Sequence, residues 1–141
     1  MAGLTWLHLS DWHQRGPDYD RQVVRDALLT DLQQRDEIDG TLGQIDFVVF
    51  SGDVAWQGKP EEYQAARDVL FEPVLKAVGL GAKDLFIVPG NHDLDRAYVQ
   101  KMLPATLNKP LESNEQVQEW LATEDERNRA LEPFKALCLS T

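Results

Sequence analysis

Cysteine is nearly absent from this chain: Cys138 is the only one in 141 residues. An intrachain disulfide and a cysteine-rich zinc site are therefore excluded. That usage is expected of a reducing compartment such as the cytoplasm. Bases are scarce as well, with 14 Lys plus Arg against 24 Asp plus Glu and a net charge of −10. An acidic surface repels phosphate backbones, so long nucleic acid is a disfavoured partner. A bound cation could still attract a phosphate locally. No apolar run approaches the ~20 residues of a membrane span. The N-terminus lacks the basic region and long apolar stretch of a signal peptide. Histidine is limited to His8, His13 and His92. What remains is 43% apolar and 27% charged, as in one globular domain with a buried core.

Three short apolar runs punctuate the first two thirds: Leu4–Ser10, Ile45–Ser51 and Asp84–Val88. The last two are almost continuously apolar, the pattern of strands buried on both faces. Between them lie helical periods. Residues 19–39 place Val24, Ala27, Leu28 and Leu32 on one face, with Asp18 as N-cap. Residues 61–78 repeat Ala66, Val69, Leu70, Val74, Ala77 and Val78, entered at Pro60 and stopped at Gly79 or Gly81. Pro73 inside that period predicts a kink or two short helices. The order β-α-β-α-β predicts an α/β fold: a three-stranded, mostly parallel sheet with right-handed crossovers and helices on both faces. Pro104 to Ser113 reads as a loop. Residues 114–139 read as one or two amphipathic helices carrying Val117, Trp120, Leu121, Leu131, Phe134 and Leu137.

In open α/β sheets, sites form beyond the carboxyl ends of the strands. Here the three strands are followed by Asp11-Trp12-His13, by Gly52-Asp53 and by Gly90-Asn91-His92-Asp93. Metal-ligating residue types thus follow every strand at the same end. Asp11 and His13 would point apart in an extended loop, so a turn is required to bring both onto one ion. Asp53 has two oxygens, enough to bridge two ions. Asn91 offers a neutral oxygen. This mixture of carboxylate, imidazole and amide suits Mn, Fe, Zn or a similar divalent metal. Two such ions form the usual clamp for in-line phosphoryl displacement. Asp93 could orient and charge the imidazole of His92, which could then assist a leaving oxygen. The plainer reading makes the three aspartates turn or cap residues; their shared position at strand ends weighs against it. His8 reads as a buried strand residue, Trp6 and Trp120 as core, Trp12 and Trp56 as packing over their loops with lining of a substrate pocket as the alternative, and Cys138 as a small apolar filler.

The segments SDWH, SGDV and PGNHD resemble the first three motifs of the calcineurin-like metallophosphoesterases. The likeness covers about residues 4–96, and its wider context is similar to bacterial members. The resemblance implies two divalent metal ions. Asp11 and His13 would bind the first, Asp53 would bridge both, and Asn91 would bind the second. His92 would contact the phosphate or leaving group, with Asp93 supporting it. Activated water would attack directly, without a covalent enzyme intermediate.

The family pattern continues with a further histidine and a GHxH motif, and this chain has no histidine after His92. Residues 1–141 therefore read as the N-terminal part of a longer domain, with a motif-bearing unit at 1–96 and a helical extension at 97–141. Weak or partial metal occupancy is expected. The sheet should expose apolar surface, to be covered by the rest of the domain, by a second copy, or by the helices of 114–139. The expected function of the complete domain is hydrolysis of a phosphomonoester or phosphodiester. Its substrate would be a phosphorylated small molecule, a nucleotide or a phosphoprotein. The alternative is a non-catalytic assembly or regulatory module that lacks a complete metal site.

Overall fold

The computed structural model describes residues 3–16, 19–98, 113–121 and 124–139. The cap proposed at Asp18, nearly all of the Pro104–Ser113 loop, and the side chains of Trp120 and Leu121 lie outside the described residues. Strands β1 (Trp6–Leu9), β2 (Phe47–Ser51) and β3 (Leu85–Val88) form one parallel sheet in the order β1-β2-β3. Trp6 pairs with Phe47, and Phe50 pairs with both Leu9 and Ile87. The α/β class and the three strands follow the sequence reading.

The crossovers are helical. The first runs through α1 (Tyr19–Gln33) and a short α2 (Arg35–Ile38). The second runs through α3 (Pro60–Ala66), a wider π turn at Arg67–Phe71, and α4 (Glu72–Val78). Pro73 explains the interruption. It has no N–H to offer the preceding turn and its ring needs room there. The chain widens just before it, with the Glu72 N–H donating back to the Arg67 carbonyl. Gly79 ends α4 in the left-handed region at φ 75°, which glycine enters without a steric penalty.

The expectation of helices on both faces does not hold among the described residues. Both crossovers step the same way across the sheet, and crossovers of one hand that do so place their helices on one face. Leu7, Leu9, Val48, Phe50, Leu85 and Ile87 point toward that helical layer. There they meet Leu28, Leu29 and Leu32 of α1 and Leu70, Phe71, Val74, Leu75 and Val78 of the second crossover. Phe50 and Phe71 close the centre edge to face at 5.2 Å. The apolar face of α1 is shifted from the expected one: Val24 and Ala27 are exposed, and Leu29 takes an inward place.

The opposite face is open. Trp6, expected in the core, is 56% exposed, with Phe86 at 56% and Val88 at 54%. Trp6 stacks on Phe47, and Phe47 meets Phe86 edge to face, so an aromatic row crosses all three strands. His8 is also exposed there rather than buried, and its Nε2 lies 2.6 Å from the Ser51 hydroxyl.

The C-terminal residues form three helices, α5 (Asn114–Leu121), α6 (Glu124–Ala130) and α7 (Glu132–Leu139). Phe134 and Leu137 of α7 join the core beside Tyr63 of α3, so α7 lies on the helical side and leaves the aromatic row uncovered. Cys138 is exposed rather than a filler. No described helix is long and apolar enough to cross a membrane.

Candidate metal centre

Past the strand ends, the loops after β1 and β2 stay paired. The Asp11, His13 and Gln14 amides donate to the carbonyls of Gly52, Asp53 and Val54, and the Trp56 amide donates to the Gln14 carbonyl. Three residues in this ladder have positive φ without being glycine: Asp11 at 59°, His13 at 50° and Asp53 at 59°. Left-handed backbone costs such residues roughly 1–2 kcal/mol each. The turn required to aim Asp11 and His13 together is therefore made by the residues themselves.

Here the side chains converge. His13 Nε2 lies 3.8 Å from Asp11 Oδ1 and 3.9 Å from Asp53 Oδ2. These separations are too long for hydrogen bonds. They suit atoms that share one ion at about 2.0–2.2 Å, which stand roughly 3–4 Å apart. His13, Asp53 and His92 each bring one ligand atom within 4.8 Å of the other two. The rings of His13 and His92 meet edge to face at 4.7 Å. His13 Nδ1 is buried without a hydrogen-bond partner among the described residues. A mixed nitrogen and oxygen donor set of this kind fits a borderline divalent metal. Asp11 stands at the exposed edge of the group, and Asn91 is exposed on the turn Asn91–Asp93.

Asp93 lies elsewhere. It is 0% exposed, and its carboxylate faces the backbone instead of the His92 ring. Oδ2 accepts from the amides of Val54 (3.2 Å) and Gly90 (2.9 Å), and Oδ1 accepts from the Ala55 amide (2.9 Å). The Tyr63 hydroxyl donates to the Asp93 carbonyl at 2.9 Å and lies 3.2 Å from Oδ1. One buried carboxylate thus binds the loop after β2, the loop after β3 and helix α3 together. Burial, followed by the neighbouring Asp93 charge, pushes the Tyr63 phenol far above its ordinary range.

The His92 ring is held by other groups. Its Nδ1 is 2.9 Å from the Trp56 carbonyl and 2.7 Å from Arg96 Nη2. The carbonyl is satisfied when Nδ1 carries a proton, and Arg96 donates when it does not. The His92 amide donates to Asp53 Oδ1 at 3.0 Å and so steadies the central carboxylate. Gly90 makes this approach possible: a Cβ there would overlap Asp53 Oδ1 and stand 2.6 Å from the Asp53 nitrogen. Trp56 walls the site, its ring 4.8 Å from His92 and 5.5 Å from His13. Sequence reasoning ranked loop packing above pocket lining for Trp56 and did not mark Arg96. Its position four residues past His92 was the one available signal.

Comparisons with known proteins agree with this geometry. The family model described as calcineurin-like phosphoesterase matches residues 4–138. The metallophosphoesterase-like protein YydB of Bacillus subtilis (strain 168) is 31% identical over 107 residues, covering 75% of this chain and 21% of that protein. Glycerophosphodiester phosphodiesterase GpdQ of Enterobacter lignolyticus (strain SCF1) is 32% identical, covering 72% of this chain and 34% of the relative. A cAMP/cGMP dual specificity phosphodiesterase, MT0825 of Mycobacterium tuberculosis (strain CDC 1551 / Oshkosh), is 41% identical, covering 69% and 29%. The chain thus spans between a fifth and about a third of the length of these relatives. A match along nearly all of its length, on strand ends that gather these side chains, places the chain in the calcineurin-like phosphoesterase family.

Proposed function

We propose that the domain to which this chain belongs hydrolyses phosphoric esters at a centre of two divalent metals, and that this chain supplies about half of that centre. The observation that carries the reading is the gathering of His13, Asp53 and His92 at the ends of three parallel strands. Asp11, His13 and Asp53 would hold the first ion, and Asp53 and Asn91 would reach the second. Bound there, the ions would activate water and neutralise charge on the phosphoryl oxygens.

The chain's own residues then have distinct tasks. Asp53 is steadied by the His92 amide. His92 has its Nδ1 engaged by Trp56 and Arg96, which leaves Nε2 to give a proton to the leaving oxygen. Trp56 keeps water from one side of both imidazoles. Two of the relatives named above are called phosphodiesterases, which favours a phosphodiester over a monoester. The remainder of the domain is the proposed cover for the open face of the sheet.

Manganese uptake tests the reading. The chain should bind Mn²⁺ weakly, as followed by the loss of free-ion signal in electron paramagnetic resonance. Asp53→Asn should weaken uptake at least tenfold, since a carboxylate central to the donor set is lost. Equal uptake by both proteins would refute the assignment.

A further inference from the structure

We infer that Arg96, with Arg15 beside it on the Trp56 ring, is the anion-binding edge of this site and takes the phosphoryl oxygens of the substrate. The inference rests on the hydrolase reading and adds the residues that recognise the ester. Arg96 places its guanidinium carbon 5.6 Å from the centre of the Trp56 ring, and Arg15 places its own at 5.1 Å. Two cations therefore meet one indole that also touches His13 and His92. In a chain of net charge −10, that places two basic side chains beside the candidate metal cluster.

The partners of Arg96 point the same way. Asp95 adjoins it in sequence, yet the Asp95 carboxylate accepts from Lys59 Nζ at 2.7 Å and from the Ala97 amide at 2.9 Å. Arg96 has no carboxylate partner among the described residues; its side-chain contacts are the His92 ring and Trp56. Neither is a carboxylate, and a guanidinium presents five donors in a planar fork suited to phosphate. A half-buried arginine held on an aromatic face, without a counter-charge, is prepared for an anionic ligand.

Its backbone is fixed as well. The Arg96 amide donates to the Gln57 carbonyl at 3.2 Å, and the Asp95 amide to the Ala130 carbonyl at 2.9 Å. Gly58, at φ 70°, lies so close to the Leu94 carbonyl group that a Cβ would overlap it. The loop bearing Trp56 and the loop bearing Arg96 are therefore wedged together. The guanidinium stands at the His92 ring, with Nη2 2.7 Å from Nδ1.

Inorganic phosphate is the probe. Phosphate is titrated into the chain twice: once with Mn²⁺, by calorimetry, and once metal-free, following the arginine Nε–Hε signals by NMR. Arg96→Gln should weaken phosphate binding about tenfold, as expected for losing a charge-assisted hydrogen bond. Arg96→Lys should recover part of that loss. Mn²⁺ affinity and thermal midpoint should stay unchanged in both variants, which a merely structural arginine would not allow. Equal phosphate affinity in Arg96→Gln and the unaltered chain, in both titrations, would overturn the inference. Absence of Mn²⁺ uptake in the unaltered chain would instead overturn the hydrolase reading. A metal-free phosphate response at the Arg96 Nε–Hε signal, with the Arg15 response weakened in Arg96→Gln, would still support the anion edge.

Discussion

Replacing Asp93 by asparagine changes one atom and should cost about 3 kcal/mol. The carboxylate lies where nothing but donors surrounds it: two amides on Oδ2, and one amide and a hydroxyl on Oδ1. An asparagine keeps a single oxygen. If that oxygen faces Val54 and Gly90, the new NH₂ faces the Ala55 N–H. If the amide flips, two N–H groups are opposed instead. Losing a hydrogen bond to a charged acceptor costs roughly 1.5–3 kcal/mol, and a stranded buried N–H about 1–3 more. The two estimates overlap in the same amide, which gives the figure of about 3. For a chain of this size that is a fall of about 10 °C in Tm. The assay is urea unfolding followed by far-ultraviolet circular dichroism, comparing midpoints at equal slope. Asp93→Ala removes both oxygens and should approach the whole stability of a small domain, ~5–15 kcal/mol. A stability loss below about 0.5 kcal/mol in Asp93→Asn would refute the role of this carboxylate as a tie between loops. It would also return Asp93 to its other reading, a group that acts on His92.

Three further outcomes follow from the same contacts. Gly90→Ala drives a Cβ into the Asp53 carboxylate; it should weaken Mn²⁺ uptake at least tenfold while costing ~1–3 kcal/mol of stability, and unchanged uptake would show that Asp53 is free to move aside. Tyr63 has its phenol pushed up by burial and by Asp93, so its contribution is complete below about pH 10 and is lost as pH rises beyond it, at up to ~1.4 kcal/mol per unit. Tyr63→Phe should flatten that alkaline decline, and an identical decline in both proteins would remove Tyr63 as its cause. Finally, Phe50→Ala should cost ~3–5 kcal/mol, whereas Phe86→Thr on the open face should cost about 1 and reduce self-association on a sizing column. Equal costs would mean that the sheet is covered on both faces in solution.

Strands and helices were legible because their apolar residues recur at the right periods, and Pro73 announced its own interruption. The one-sided sheet was not legible from strand composition. Trp6, Phe47 and Phe86 carry the same apolar signal as Leu7, Val48 and Ile87, and only the topology tells which row the helices cover. The spatial order β1-β2-β3 decides it, and strand order is a long-range property. The same limit applies to Asp93. Its neighbour in sequence is His92, so sequence proximity suggested a partnership, while apart from Gly90 its carboxylate bonds residues 30 to 39 positions away. Arg96, and its meeting with Trp56, escaped for a related reason: the meeting depends on two loops wedged at Gly58 and Leu94.

The gathering of ligands and the tie at Asp93 are parts of one arrangement. Asp11, His13 and Asp53 adopt backbone conformations that residues other than glycine avoid, at a cost of roughly 1–2 kcal/mol each. Such conformations persist only where the surroundings over-determine them. The inter-loop ladder through His13 and Gln14 holds the first loop to the second. The Asp93 carboxylate then clamps the second loop, at Val54 and Ala55, to the third at Gly90. These bonds offset the backbone cost, and they leave the Asp11 and Asp53 carboxylates each within 4 Å of the same imidazole nitrogen. A cation held by these side chains would bind the folded loops and not the unfolded chain, so metal binding and loop stability should rise together. Addition of Mn²⁺ should therefore raise the thermal midpoint of the unaltered chain and do so much less in Asp53→Asn.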